Sequence, residues 1–241
     1  MRIRLFTIPN LLTLMNLLCG SFAVVAALMY NDLTLAFWLI VAGIVFDFFD
    51  GFVARLLHSS SAIGVQLDSL ADVITSGLAP AAVLWQVCLQ TEPCWLPEGW
   101  KLGYGVFVLA AFSALRLAKF NIDETQTVEF CGLPPAGSLL CASLGMLWQQ
   151  GMLALSSDGV LLVAVLTSLL LVSPIRMFAL KFHGFGWRGN EVRYLFLLAS
   201  IVLIIILRTY AIPVIIVLYI VVSAVRWLCM RSGNPDKAPK A

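Results

Sequence analysis

Four aspartates within residues 47–72, DFFDGFVARLLHSSSAIGVQLDSLAD, have the types and spacing to do chemistry. They come as pairs: Asp47 and Asp50 are three residues apart, Asp68 and Asp72 four. Either spacing puts both carboxylates of a pair on one face of a helix. Residues 55–64 between the pairs are polar enough to turn at a membrane surface, so the two helices are expected to run antiparallel. Asp47 lies eight residues before Arg55, and Asp72 eight after Gly64. At ~1.5 Å rise per residue both fall roughly 12 Å below that surface, with Asp50 and Asp68 roughly 6–8 Å below it. The expectation is two facing tiers of carboxylates.

Acid groups at this depth are costly. A carboxylate at the centre of a spanning helix costs roughly 2.5–3.5 kcal/mol even on the lenient insertion scale. Grouped carboxylates also repel one another unless protons or cations neutralise them. Two divalent ions would balance four negative charges, and an all-oxygen ligand set selects magnesium, manganese or calcium rather than zinc. Gly51 and Ala54 follow on the same face and leave room against the backbone, and Arg55 at the helix end can reach a phosphate. A metal pair beside a shallow groove points to a diphosphate substrate.

The full pattern is Asp47-x2-Asp50-Gly51-x2-Ala54-Arg55-x8-Gly64-x3-Asp68-x3-Asp72. It resembles the signature of the CDP-alcohol phosphatidyltransferases at all eight specified positions. That resemblance implies an integral membrane enzyme that moves a phosphatidyl group from CDP-diacylglycerol to an alcohol and releases CMP. It also implies a metal site lined by Asp47, Asp50, Asp68 and Asp72, with Asp72 as general base. Depth alone does not separate Asp72 from Asp47 for that role. A homodimer is a further implication, with no residue assigned to it.

Composition agrees with a membrane chain. Of 241 residues, 61% are hydrophobic and 12% charged, with mean hydropathy +0.97. A soluble domain would carry about twice that charge. The expected fold is all-α, a polytopic helix bundle of about eight spans with a cytoplasm-facing cleft. The spans are placed at residues 8–29, 33–57, 63–89, 102–120, 136–155, 160–178, 191–207 and 212–230. Residues 1–230 form one domain, and 231–241 lack apolar periodicity and read as a disordered cytoplasmic tail. With eight spans both termini share a side, and thirteen of the fifteen lysines and arginines fall there, against Lys101 and Arg208 opposite. The bias places the termini and the aspartates in the cytoplasm; the expected location is a bacterial inner membrane. No stretch reads as a nucleic-acid patch. Six cysteines without a C-x2-C pair argue against zinc or a disulfide framework, although Cys88 and Cys94 lie close enough in sequence to pair.

In the first span Asn10, Thr13 and Asn16 recur at three-residue steps. Such a stripe serves either as hydrogen-bonding glue between helices or as a polar wall of the aspartate cleft. IPNLLTLMNLLCG resembles the family's opening segment, which favours the second reading. The CDP-diacylglycerol site is therefore expected at Asn10, Thr13, Gly51, Ala54, Arg55 and Gly64.

Arg116 and Lys119, three apart at the end of the fourth span, suit either lipid headgroups or an anionic acceptor. RLAKFNIDETQTVEFCGLPPA is similar to the corresponding segment of the bacterial phosphatidylserine-forming members of the family. This resemblance implies L-serine as acceptor, with Arg116 or Lys119 on its carboxylate and Asn121 among the groups that take its ammonium. The rival acceptors are glycerol 3-phosphate and inositol or its phosphate. From another class, a cation transporter would use intramembrane carboxylates as its path, but these cluster at one face. An aspartate-rich prenyltransferase would separate its motifs by far more than the 18 residues between Asp50 and Asp68. Arg176, Lys181, His183 and Arg188 form a basic stretch that reads as loop charge or as a gate for the anionic lipid.

Overall fold

Apolar runs punctuated by capping residues set the helix boundaries. The structure, a computed structural model, describes residues 5–59, 61–95, 102–122, 130–178 and 190–233. Helix α1 spans Ile8–Leu28; Thr7 caps it by accepting from Asn10 N at 3.3 Å. Asp32 starts α2, Leu33–Leu56, by accepting from Leu35 N at 2.8 Å. Ser61 starts α3, Ala62–Asp72, by accepting from Gly64 N at 3.1 Å. A π-helical stretch, Val73–Leu78, joins α3 to α4, Ala79–Gln90. Then follow α5 (Val108–Ile122), α6 (Leu139–Gln149), α7 (Ser157–Leu171), α8 (Glu191–Leu207) and α9 (Ala211–Gly233).

The all-α reading holds. Among the described residues, five helical runs are long and apolar enough to cross a membrane. The last of these, Glu191–Cys229, has 39 residues, about twice a span. Arg208, at φ +48°, divides it into α8 and α9, which pack on each other. Two expected spans come out shorter. α6 ends at Gln149, before Gly151 takes a left-handed φ of +69°. α7 ends at Leu171, because Pro174 lacks the N–H a further turn needs. Beyond it Arg176–Met177 pair antiparallel with Phe130–Cys131, a two-residue ribbon outside the helical plan. At the C-terminus α9 runs on to Gly233, past the expected end at 230; residues 234–241 lie outside the described residues. So do Lys181, His183 and Arg188.

Small residues let these helices approach closely. Ala23, Ala26, Ala27, Ala36, Ala79, Ala81 and Ala82 are all buried in the core. In lipid such residues replace the hydrophobic drive with close backbone packing. Gly20 shows why: a Cβ there would lie 2.8 Å from Thr75 Cα. Helix α1 packs on α2, on α3 and on the π-helical stretch.

The π-helical stretch has a local cause. Pro80 has no N–H to give the Ser76 carbonyl four residues back. Ser138 Oγ, just before α6, donates to that carbonyl instead. π-Bulges of this kind are frequent at functional sites, and this one begins at the residue after Asp72.

Candidate active site

The chain reverses between α2 and α3 through His58, which takes a left-handed φ of +49°. The reversal brings the two acidic faces together. Ligating oxygens of Asp47, Asp50 and Asp68 all lie within 4.8 Å of one another. Asp47 is thus grouped with the carboxyls of Asp50 and Asp68. Asp72, one turn along α3, is buried and accepts from Asn16 Nδ2 at 3.2 Å. Helix α1 packs against both acidic helices and engages one carboxylate of each. Thr13 Oγ1 reaches Asp50 Oδ2 at 2.5 Å, and Asn16 reaches Asp72.

An open cleft lies beside the cluster. Asn10, Thr13, Gly51, Ala54, Arg55 and Gly64 all line it, together with Asp50 and Asp68. Pro9, Ser59, Ser61 and Val65 complete the wall. Arg55 is exposed and its guanidinium lies over Gly51, where an added Cβ would meet Nη1 at 3.6 Å. At Gly64 an added Cβ would come within 3.2 Å of Asn10 Oδ1, so the glycine keeps α3 close to α1 at the mouth. Asn10 itself donates from Nδ2 to Leu5 O at 2.8 Å. The hydroxyl of Thr13 has one proton, shared between Pro9 O and Asp50, so only its lone pairs are left to face a ligand. The stripe thus divides: Asn10 and Thr13 wall the cleft, while Asn16 ties α1 to α3.

The acceptor candidates diverge. Arg116 is buried, within electrostatic reach of Asp72, and packs over the Phe120 ring at 5.4 Å. Lys119 is exposed. Three residues subtend about 60° on a helix, enough at the edge of the buried face to send the two side chains apart. Asn121, also exposed, donates to Ser69 Oγ at 2.8 Å. Tyr219 of α9, to which no sequence pattern pointed, is also within electrostatic reach of Arg116; its hydroxyl donates to Phe178 O at 2.9 Å. Cys88 and Cys94 are both free thiols.

The donor set fits a hard divalent cation. Three carboxylates converge, and Asp68 Oδ1 is buried with no hydrogen-bond partner among the described residues. A buried, unpartnered carboxylate oxygen is costly unless a cation or ligand takes it.

Residues 6–180 match the family model for CDP-alcohol phosphatidyltransferase. The chain belongs to the CDP-alcohol phosphatidyltransferase family. Three curated relatives carry the name CDP-diacylglycerol–serine O-phosphatidyltransferase. One from Bacillus subtilis is 33% identical over 181 residues, covering 73% of this chain and 93% of the relative. One from Helicobacter pylori is 31% identical over 233 residues, covering 93% and 92%. One from Mycobacterium tuberculosis is 33% identical over 255 residues, covering 99% and 86%. As a family member the protein is an integral membrane phosphatidyltransferase that depends on a divalent metal. The model match contains the whole aspartate cluster but not α8 or α9, so Tyr219 stands outside the shared region.

Proposed function

We propose that this phosphatidyltransferase moves the phosphatidyl group of CDP-diacylglycerol to the hydroxyl of L-serine, giving phosphatidylserine and CMP. One observation carries the chemistry: Asp47, Asp50 and Asp68 converge at the wall of a cleft bounded by Arg55 and the small residues Gly51, Ala54 and Gly64. The relatives' names carry the choice of acceptor.

Each side chain has a part in this reading. Asp47, Asp50, Asp68 and Asp72 would hold two divalent ions, magnesium or manganese, with calcium also compatible with an all-oxygen set. Bound there, the ions neutralise the carboxylates and polarise the diphosphate. Asn10, Thr13, Gly51, Ala54 and Gly64 bound the nucleotide-lipid, and Arg55 grips a phosphate oxygen. Asp72 takes the proton from the serine hydroxyl as its oxygen forms the new bond to phosphorus. The bond from phosphorus to CMP breaks, and CMP leaves with the electron pair. The buried Arg116 holds the serine carboxylate; Lys119 and Asn121 stand further out, at the entrance of the acceptor.

The positive-inside bias orients the cleft to the cytoplasm of a bacterial inner membrane, where nucleotide-lipid and serine meet. A homodimer accords with the family resemblance. The test is purified enzyme with labelled CDP-diacylglycerol and, separately, serine, glycerol 3-phosphate, inositol and inositol phosphate, each with and without chelator. Serine-dependent CMP release that chelation stops is the expected result. Release with another acceptor only would replace serine in this reading.

A further inference from the structure

Helix α1 touches each acidic helix through one polar side chain, and the two side chains are three residues apart. Thr13 engages Asp50 of α2, and Asn16 engages Asp72 of α3. Asn16 is fully buried and fixed at both ends. Its main-chain carbonyl accepts from Thr75 Oγ1 at 3.0 Å, in the π-helical stretch that follows Asp72. Its side-chain Oδ1 has no hydrogen-bond partner among the described residues and faces Gly43 of α2, where an added Cβ would stand 2.9 Å away. An ionised carboxylate accepts only from the amide nitrogen, so Asp72 also fixes which way the Asn16 amide points.

We propose that Asn16 is the positioning residue for Asp72: its Nδ2–H takes one lone pair of Oδ1 and so fixes how the carboxylate is presented to the acceptor hydroxyl. This rests on the assignment of Asp72 as base. Gly43 belongs to the same device, because an added Cβ would stand 2.6 Å from Thr75 Cγ2 and 2.9 Å from Asn16 Oδ1, so only a residue without one lets both side chains seat against α2. The device touches neither substrate. Its loss slows the proton step without weakening either substrate's hold.

The experiment uses the full-length enzyme in detergent micelles with CDP-diacylglycerol and serine, comparing Asn16→Ala, Gly43→Ala, Asp72→Asn and each double variant with Asp72→Asn. Asn16→Ala is expected to lower kcat by about 10- to 100-fold, with KM for both substrates within about twofold of wild type. In the Asp72→Asn background the same substitution is expected to change the residual rate less than about threefold, because effects routed through one group do not add. Gly43→Ala, which displaces the same amide from the facing helix, is expected to give the same pattern. It replaces Asn16→Ala as the deciding variant if that one does not fold. A rise in KM for CDP-diacylglycerol with kcat unchanged would overturn the proposal and make Asn16 a nucleotide contact. Multiplicative losses in the double variants would overturn it too, reducing Asn16 to a packing group. Wild-type kcat in Asp72→Asn would sink the base assignment itself, an outcome separate from either.

Discussion

Asp68 and Asp158 are both acidic side chains set among apolar helices, and the structure treats them in opposite ways. Around Asp158 every nearby donor is engaged: Cys94 N at 3.0 Å, Trp95 N at 2.5 Å and Gly159 N at 3.0 Å. The same end of the molecule is closed by side-chain amides. Asn31 and Gln90 bond reciprocally, at 3.3 and 2.9 Å, and Gln149 Oε1 accepts from Leu33 N at 2.8 Å and Thr34 N at 3.0 Å. At the aspartate end, Asp68 Oδ1, Asn16 Oδ1 and Ser59 Oγ are buried without hydrogen-bond partners among the described residues. A polar group that is satisfied holds a fold together; one left open is held for something that arrives later. The first end is construction and the second is chemistry, so a substitution at each should separate stability from turnover.

The largest effect is expected where the open carboxylates converge. Asp47→Asn and Asp68→Asn should each lower serine-dependent CMP release by at least about 100-fold. Thermal unfolding in detergent should stay close to wild type or rise, since neutral side chains no longer repel at that depth. Chelation should abolish wild-type turnover, and added magnesium or manganese should restore it. Full activity in either variant would dissolve the contrast between the two ends. Next comes the split that the structure introduces between neighbouring basic residues. Arg116→Ala should raise KM for serine by about 10- to 100-fold, the worth of a buried hydrogen bond to a charged group. Lys119→Ala, exposed, should change it less than about threefold. Equal effects would mean that the two converge on the acceptor after all.

The opposite end should respond in stability alone. Gln149→Ala removes the acceptor for the first N–H groups of α2, one of them on the fully buried Leu33. Loss of such a cap costs about 1–2 kcal/mol. Unfolding should move to lower denaturant while kcat per folded molecule holds. A fall in kcat at unchanged stability would place this end within the working machinery.

The acidic end of this contrast was legible in the sequence itself. Spacings of three and four residues put each pair of aspartates on one helical face. A face, however, says nothing about its neighbour. That α1 packs on both acidic helices and engages one carboxylate of each depends on Gly20 and Gly43 admitting Thr75 and Asn16, a fit between residues far apart in sequence. The divergence of Arg116 and Lys119 was hidden for the same reason, since periodicity does not locate the edge of a buried stripe. Tyr219 carried no local signal at all. Its place beside Arg116 comes from the return of α9 to the bundle.

The smallest effect expected sharpens the contrast through pH. The Ser156 hydroxyl and the main-chain N–H groups of Trp95, Cys94 and Gly159 hold the Asp158 carboxyl down to about 2, below its ordinary value. A carboxyl whose folded value is depressed stabilises the fold fully above its unfolded value near pH 4, and that stabilisation fades as pH falls toward 2. In Asp158→Asn this acid-labile part is missing. Thermal unfolding of wild type and variant should therefore differ at neutral pH and converge as pH drops from about 4 to about 2. Turnover at neutral pH should be untouched, because the donors around Asp158 belong to the turn at Cys94–Trp95 and the start of α7, on the side away from the cleft. If the two unfolding curves stay parallel through that window, the tie between this carboxylate and the Cys94–Trp95 turn contributes nothing to stability, and the closed end of the molecule rests on its amides alone.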